Sequence, residues 1–127
     1  MTKLVSITVN QAATVDAARH VAKVIANSLL VKTAIHGGDP NWGRLVAAAG
    51  RAGVPFEIDR ARVRVGPVVL FEDGVPFDHR APEAAAYLQG SDIDIEVGLG
   101  TGGLQQATVW TCDLSAEYVA INADYRT

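Results

Sequence analysis

The sequence predicts an α+β domain in which a mixed sheet and a set of helices form two layers. Two kinds of hydrophobic spacing support this prediction. Apolar residues alternate from Val5 to Val9 and again from Ile93 to Val97, which is the period of a half-buried strand. Between these segments, apolar residues recur at spacings of three and four, which is the period of a helix. The predicted order of elements is roughly β-α-α-β-β-α-β-β-α.

The first half of the chain is predicted to contain one strand and two helices. Thr14 is a predicted N-cap, because a threonine hydroxyl can accept a hydrogen bond from an unpaired helix N–H. The apolar face of the long helix that follows is predicted to consist of Val15, Ala18, Ala22, Ile25 and Leu29. Asp39 and Pro40 predict the start of a second helix, with an acidic cap and a proline in the first turn. Its predicted apolar face contains Trp42, Leu45, Val46 and Ala49, and Gly50 or Gly53 is predicted to end it.

The second half is predicted to be mostly strand. The segment from Arg62 to Phe77 is rich in strand-forming residues, and Asp73-Gly74 within it is typical of a tight hairpin. A short helix is predicted over Pro82–Gln89, and a strand through Ala107, Val109 and Thr111 follows the strand at Ile93. Ser115 is a predicted cap of a last helix that continues through Ile121.

Composition narrows the classes of protein to consider. The chain has 127 residues, 49% of them hydrophobic, and a formal net charge of -3. This length predicts a single domain over residues 1–127. Without a cluster of basic residues, nucleic acid is not an expected partner, and no apolar run approaches the roughly 20 residues needed to span a membrane. The single cysteine and the lack of a secretory signal pattern predict a cytoplasmic protein.

Four local features carry possible chemistry, and each has a plainer interpretation. The loop "GLGTGG" could wrap a phosphate, but it lacks the lysine of a P-loop and precedes a strand, which favours a flexible hairpin connection. Cys112 could be a nucleophile with His20, His36 or His79 as base, but a buried core residue is the favoured interpretation. Thr2 could act as an N-terminal nucleophile, although nothing else in the sequence supports that role. The histidines show no metal-ligand spacing, so no metal or cofactor is expected.

The stretch "HGGDPNWGR", from His36 to Arg44, leaves two interpretations open. Gly37 and Gly38 precede a predicted helix N-terminus, where N–H groups and Arg44 would favour an anion. The same residues also suit an elaborate helix start, with Trp42 in the core.

Two long segments, "NSLLVKTAIHGGDPNWGRLVAAAGRAG" (Asn27 to Gly53) and "TCDLSAEYVAINADYRT" (Thr111 to Thr127), resemble the C-terminal part of the ArgJ family. This family is also known as ornithine acetyltransferase or glutamate N-acetyltransferase. The resemblance extends from about Lys3 to Thr127, and it implies the α+β fold of the ArgJ and DmpA type.

The resemblance implies a part in acetyl transfer during arginine biosynthesis. Family members are cytoplasmic, form oligomers, move an acetyl group from N-acetylornithine to glutamate, and in some cases also accept acetyl-CoA. They cleave themselves into two chains, and a threonine exposed by the cleavage forms an acetyl-enzyme ester. Asn122 and Thr127 match the asparagine and terminal threonine that the family uses to bind substrate. An amide and a hydroxyl can each donate to a carboxylate and accept from an ammonium group.

The nucleophilic threonine, the oxyanion residues and the substrate-binding lysine of the family have no counterpart in these 127 residues. A family glutamate would stand just before the stretch matching "TKLVSITV", so Thr2 matches its neighbour and not the nucleophile. The chain is therefore expected to supply substrate-binding residues, to be inactive alone and to need the remaining segments of the enzyme as partners. A stand-alone, non-catalytic amino-acid-binding module and an assembly module are the alternatives. On the family interpretation, the stretch from His36 to Arg44 is expected to be structural.

Overall fold

A computed structural model describes residues 3–112, in which helices pack on one face of a six-stranded mixed sheet. The order of strands across the sheet is β4-β3-β2-β5-β1-β6. Strands β1 and β5 are parallel, and all other neighbouring pairs are antiparallel. The strands are β1 (Leu4–Ala12), β2 (Arg62–Val65), β3 (Val68–Glu72), β4 (Val75–Pro76), β5 (Asp92–Gly98) and β6 (Gln105–Cys112). The helices are α1 (Val15–Ala26), α2 (Leu29–His36), α3 (Trp42–Gly50) and α4 (Ala81–Tyr87), with 3-10 turns at Ile58–Arg60 and Asp78–Arg80.

The core lies between the helices and one face of the sheet. The alternating apolar residues of β1 and β5 are fully or almost fully buried, as predicted, and they meet Val21 and Ile25 of α1 and Leu45 of α3. Burying one such side chain contributes roughly 1.5–3 kcal/mol. The intervening residues of the same strands are polar, so the pattern sends them to the opposite face of the sheet. The predicted α+β architecture is confirmed.

The long helix predicted after Thr14 is two helices. Thr14 does cap α1, since its hydroxyl accepts from the N–H of Ala17 at 3.0 Å. However, α1 ends at Ala26, and the Ser28 hydroxyl caps α2 by accepting from the N–H of Val31 at 3.3 Å. This second cap interrupts the helix, and Leu29, predicted to lie on the apolar face, is 62% exposed.

The third helix starts later than predicted. The N-cap is Asn41, whose carboxamide oxygen accepts from the N–H of Arg44 at 3.1 Å, and α3 begins at Trp42. Asp39 is not the cap, because its carboxylate accepts from the Nδ2 of Asn41 at 3.3 Å instead of from a helix N–H, while its own N–H donates to the carbonyl of Ala34 at 2.8 Å and closes the end of α2. The helix ends at Gly50, as predicted, and its face of Leu45, Val46 and Ala49 is buried.

The β-rich segment contains the predicted hairpin and one turn that was not predicted. Asp73 and Gly74 have φ values of 53° and 80° and connect β3 to β4, as a tight hairpin requires. A second turn at Gly66 separates β2 from β3. The short helix α4 spans Ala81–Tyr87, slightly earlier than predicted.

The loop "GLGTGG" is not the flexible hairpin that the sequence favoured. Strand β1 lies between β5 and β6, so the loop crosses over the end of β1. Gly98, Leu99 and Gly100 are buried there. The predicted last helix, from Ser115 to Ile121, lies outside the described residues.

Candidate functional site

The face of the sheet opposite the core is polar and partly buried. Ser6 donates to Asp94 at 3.0 Å, and the hydroxyls of Thr8 and Thr108 lie 2.9 Å apart. The Glu96 carboxylate, 14% exposed, receives Arg62 at 2.6 Å and Arg64 at 3.0 Å. A network of this kind fixes the orientation of its side chains. One cleft opens at each end of this face.

The first cleft, here called the glycine-loop cleft, lies where β1 and β5 end and has a volume of about 390 Å³. Its lining residues are Gln11, Arg60, Arg62, Glu72, Asp73, Gly100, Gly102, Gly103 and Leu104. The loop that forms its wall is held to β1, because both the N–H and the hydroxyl of Thr101 donate to the carbonyl of Gln11, at 3.2 and 2.7 Å. The hydroxyl of Thr101 also accepts from the N–H of Gly103 at 3.1 Å.

The charged residues of the glycine-loop cleft differ in how they are paired. The Arg62 guanidinium is held by Glu96, and its Nε lies 3.3 Å from a carboxylate oxygen of Glu72. By contrast, the side chains of Arg60, Asp73 and Gln11 make no hydrogen bond or ion pair to any residue in the range 3–112. Within residues 3–112, the cleft therefore presents one cation and one anion without a partner, together with one carboxamide.

The second cleft, here called the Trp110 cleft, lies where β1 and β5 begin and has a volume of about 340 Å³. It is lined by Leu4, Ser6, Tyr87, Asp92, Ile93, Asp94 and Trp110. The Trp110 side chain is 65% exposed, which is unusual for a large apolar group. Strand β6 ends at Cys112, opposite Leu4, so residues 113–127 begin at this end of the sheet.

The stretch from His36 to Arg44 is a structural connection between α2 and α3. The Asn41 side chain caps α3 and its Nδ2 donates to Asp39 at 3.3 Å. Trp42 stacks on Phe71 with ring centroids 4.7 Å apart, and its Nε1 donates to Asp78 at 3.1 Å.

Arg44 completes the connection by donating to the carbonyl of Leu30 at 2.9 Å. Because Asn41 and Trp42 use their polar side-chain groups inside the protein and Arg44 donates to a backbone carbonyl, the structural interpretation is favoured.

The site residues predicted from the sequence, Asn122 and Thr127, lie outside the described residues, and so does Thr2. Cys112 is half-buried at the end of β6 and does not belong to the core cluster, so its interpretation as a core residue is wrong. His20 Nε2 lies 3.0 Å from the carbonyl of Ala52, and His79 lies in a 3-10 turn against Phe77. Neither His20 nor His79 forms a hydrogen bond with Cys112.

Between residues 3 and 112, no group of three or more His, Cys, Asp or Glu side chains could hold a metal ion. In the same range, no helix is both long and apolar enough to cross a membrane.

The residues of the glycine-loop cleft that have no partner within the range 3–112 were not predicted from the sequence. Gln11 gave no signal, because a glutamine at the end of a strand is unremarkable in a sequence. Arg60 and Asp73 are separated by a hairpin, and only the pairing of β2 with β3 brings their segments together.

Comparison with known proteins gives one consistent result. The model of the "ArgJ family" matches residues 1–127. Arginine biosynthesis bifunctional protein ArgJ of Zymomonas mobilis is 49% identical, and the match covers 98% of this chain and 31% of that protein. Arginine biosynthesis bifunctional protein ArgJ 1 of Nostoc sp. is 48% identical, with 99% and 32% covered. The chain thus spans about a third of the length of the curated relatives it matches.

A solved structure shows the same fold. The crystal structure of Arginine biosynthesis bifunctional protein argJ from Bacillus halodurans superposes with a TM-score of 0.85 at 40% identity. The superposition covers 97% of this chain and 58% of that chain.

Proposed function

This chain belongs to the ArgJ family, and from that membership we propose that it is part of a glutamate N-acetyltransferase of arginine biosynthesis. The whole enzyme moves an acetyl group from N-acetylornithine to glutamate through an acetyl-threonine ester. The observation that carries the proposal is the family match, which extends over residues 1–127 and therefore includes the tail with Asn122 and Thr127.

The proposed role of this chain is substrate binding. The Asn122 amide and the Thr127 hydroxyl can each donate to a substrate carboxylate and accept from an ammonium or acetamide N–H. Strand β6 borders the Trp110 cleft and is held in the sheet by β1 up to Cys112, and Asn122 and Thr127 follow it in the sequence.

The nucleophile is proposed to lie in the remaining part of the enzyme. The curated relatives are about three times as long as this chain, but the chain covers 58% of the Bacillus halodurans chain. The shorter length of that solved chain supports a family enzyme that is divided into two polypeptides by self-cleavage. A cytoplasmic location, an oligomeric assembly and the use of acetyl-CoA as a further acetyl donor belong to the same proposal.

The test compares the chain with the assembled enzyme. We expect the purified 127-residue chain to form no ornithine or N-acetylglutamate from N-acetylornithine and glutamate, and the chain joined to the remaining segments to form both. In the assembled enzyme, Asn122→Ala is expected to raise KM for N-acetylornithine by about tenfold, because one hydrogen bond to a charged or strongly polar group is lost. An unchanged KM and turnover would instead favour the assembly module.

Calorimetry with N-acetylornithine distinguishes a stand-alone binding module from the proposed enzyme. Tight binding of N-acetylornithine by the isolated chain would favour a stand-alone binding module. Binding that requires the other segments supports the proposed enzyme.

A further inference from the structure

The glycine-loop cleft has a wall that backbone contacts fix in place. A Cβ added to Gly100 would stand 2.6 Å from the carbonyl carbon of Arg60, and one added to Gly103 would stand 2.1 Å from the carbonyl oxygen of Ala12. The loop therefore lies directly against both the end of β1 and the 3-10 turn at Ile58–Arg60. A fixed wall lowers the entropy that a ligand loses in ordering its site.

Gln11 adopts a strained backbone conformation at this cleft. Its φ is 53°, and it lies in a bulge where the pairing of β1 with β6 shifts by one residue between Val9 and Ala12. Glycine is the residue that such a bulge ordinarily uses. Asp73, with a φ of 53°, is the other non-glycine residue with a positive φ between residues 3 and 112, and it also lines the cleft.

The hairpin explains the conformation of Asp73, and the bulge explains the positive φ of Gln11, although glycine would adopt it with less strain. The Cδ atom of Gln11 lies 3.1 Å from the point where a Cβ of residue 98 would stand. Gln11 is half-buried, and a non-glycine residue in a strained conformation at a cavity supports a role in binding.

The glycine-loop cleft is lined by two arginines and two acidic residues, so their formal charges cancel. Arg62 is paired with both Glu72 and Glu96, whereas Arg60 and Asp73 have no partner between residues 3 and 112. These two residues lie on adjacent backbone segments, because the N–H of Asp73 donates to the carbonyl of Ala61 at 3.0 Å. An unpaired cation next to an unpaired anion is complementary to a ligand that carries both charges.

We propose that the glycine-loop cleft binds a free α-amino acid. The Arg60 guanidinium receives the carboxylate, Asp73 receives the ammonium group, and the Gln11 carboxamide contacts the side chain of the ligand. The volume of about 390 Å³ falls in the range of small-molecule sites. This inference does not require the proposed function, because no residue of the cleft belongs to the tail that carries Asn122 and Thr127.

The experiment titrates the 127-residue chain with L-glutamate and L-ornithine and measures binding by saturation-transfer NMR. N-acetyl-L-glutamate, which lacks the ammonium group, is the matched ligand. We expect both free amino acids to bind, and N-acetyl-L-glutamate to bind at least about tenfold more weakly, because it leaves Asp73 unpaired.

Three variants locate the binding. Arg60→Gln is expected to weaken binding by about tenfold or more, whereas Arg51→Gln, an equal change of charge at an exposed arginine after α3, leaves binding unchanged. Gln11→Gly is expected to weaken binding without lowering Tm, because glycine adopts a positive φ without strain. Loss of binding in Gln11→Gly at an unchanged Tm cannot be attributed to unfolding.

Several results would overturn the proposal. These are no binding of either amino acid at millimolar concentration, equal effects of Arg60→Gln and Arg51→Gln, and equally tight binding of N-acetyl-L-glutamate. Loss of binding only in Asn122→Ala would place the ligand at the tail, which would support the proposed function and refute this inference. Stronger protection of the amides of residues 99–103 from exchange in the longer enzyme than in the 127-residue chain, with no amino acid present, would show that a polypeptide segment fills the cleft.

Discussion

Two glycine-containing loops in this protein resemble ligand sites in the sequence, and the structure separates them. The connection from His36 to Arg44 uses the polar groups of Asn41, Trp42 and Arg44 to hold together two helices and the 3-10 turn at Asp78–Arg80. The loop "GLGTGG" is also rigid, but the cleft that it lines contains polar side chains with no partner between residues 3 and 112. The number of polar groups left unpaired therefore distinguishes a structural loop from a candidate site better than glycine content does.

The largest expected effect tests the rigidity of the glycine loop. Gly103→Ala places a methyl group against the carbonyl carbon and oxygen of Ala12. Because these are backbone atoms, we expect a loss of about 3 kcal/mol or more in the free energy of unfolding. Gly102→Ala is the control for packing: Gly102 has a positive φ, unlike Gly103, but no heavy atom lies within 4 Å of its added Cβ, and it should lose about 1–2 kcal/mol. Equal losses in urea titrations would show that the loop is not packed against β1.

The next effect concerns the tryptophan of the His36 to Arg44 connection. Trp42→Ala removes a ring stacked on Phe71 and a hydrogen bond to Asp78, and we expect a loss of about 2–3 kcal/mol. Trp42→Phe keeps an aromatic ring but removes the hydrogen bond to Asp78, so it should lose about 1 kcal/mol. A double-mutant cycle with Asp78→Ala checks the hydrogen bond. If the bond exists, the double variant should lose less stability than the sum of the losses in the two single variants.

A smaller effect tests which residue caps α3. Asn41→Ala should lose about 1 kcal/mol, since the N–H of Arg44 is left without its acceptor, and Asn41→Ser should restore most of it. Asp39→Ala should change the free energy of unfolding by only a few tenths of a kcal/mol. Thermal unfolding of the three variants decides between Asn41 and Asp39, and a larger loss for Asp39→Ala would support the prediction made from the sequence.

The smallest expected effect is at the bulge in β1. Gln11→Gly relieves a positive φ and should leave stability unchanged or raise it by up to about 1 kcal/mol. A clear loss of stability would show that the Gln11 side chain holds the bulge together, and it would remove the argument that its strain is kept for binding.

The periodicity of hydrophobic residues was enough to predict the main strands and most helices. The alternation in β1 and β5, the Thr14 cap and the Asp73-Gly74 hairpin are all local signals that the structure confirms. The errors arose where polar side chains compete for the same backbone groups, as at Ser28 and at Asn41. Periodicity cannot detect a new cap inside an apolar pattern.

The pairing of strands that are distant in the sequence could not be predicted from local patterns. The position of β1 between β5 and β6 makes the glycine loop a crossover, and no local pattern records which strand lies between two others. The glycine-loop cleft depends on this pairing, since it joins the end of β1 to the segments around Arg60 and Asp73. The family resemblance, in contrast, was visible because "HGGDPNWGR" and "INADYRT" are long and unusual segments.

The central claim is that this chain contributes substrate binding to an acetyl transfer whose nucleophile lies elsewhere in the enzyme. Its most direct test is a single-turnover assay with N-acetylornithine labelled in the acetyl group, followed by mass spectrometry of the protein. The account predicts no acetyl group on the 127-residue chain alone, and one acetyl group on a threonine outside these 127 residues in the assembled enzyme. An acetyl ester on any residue of this chain would contradict it.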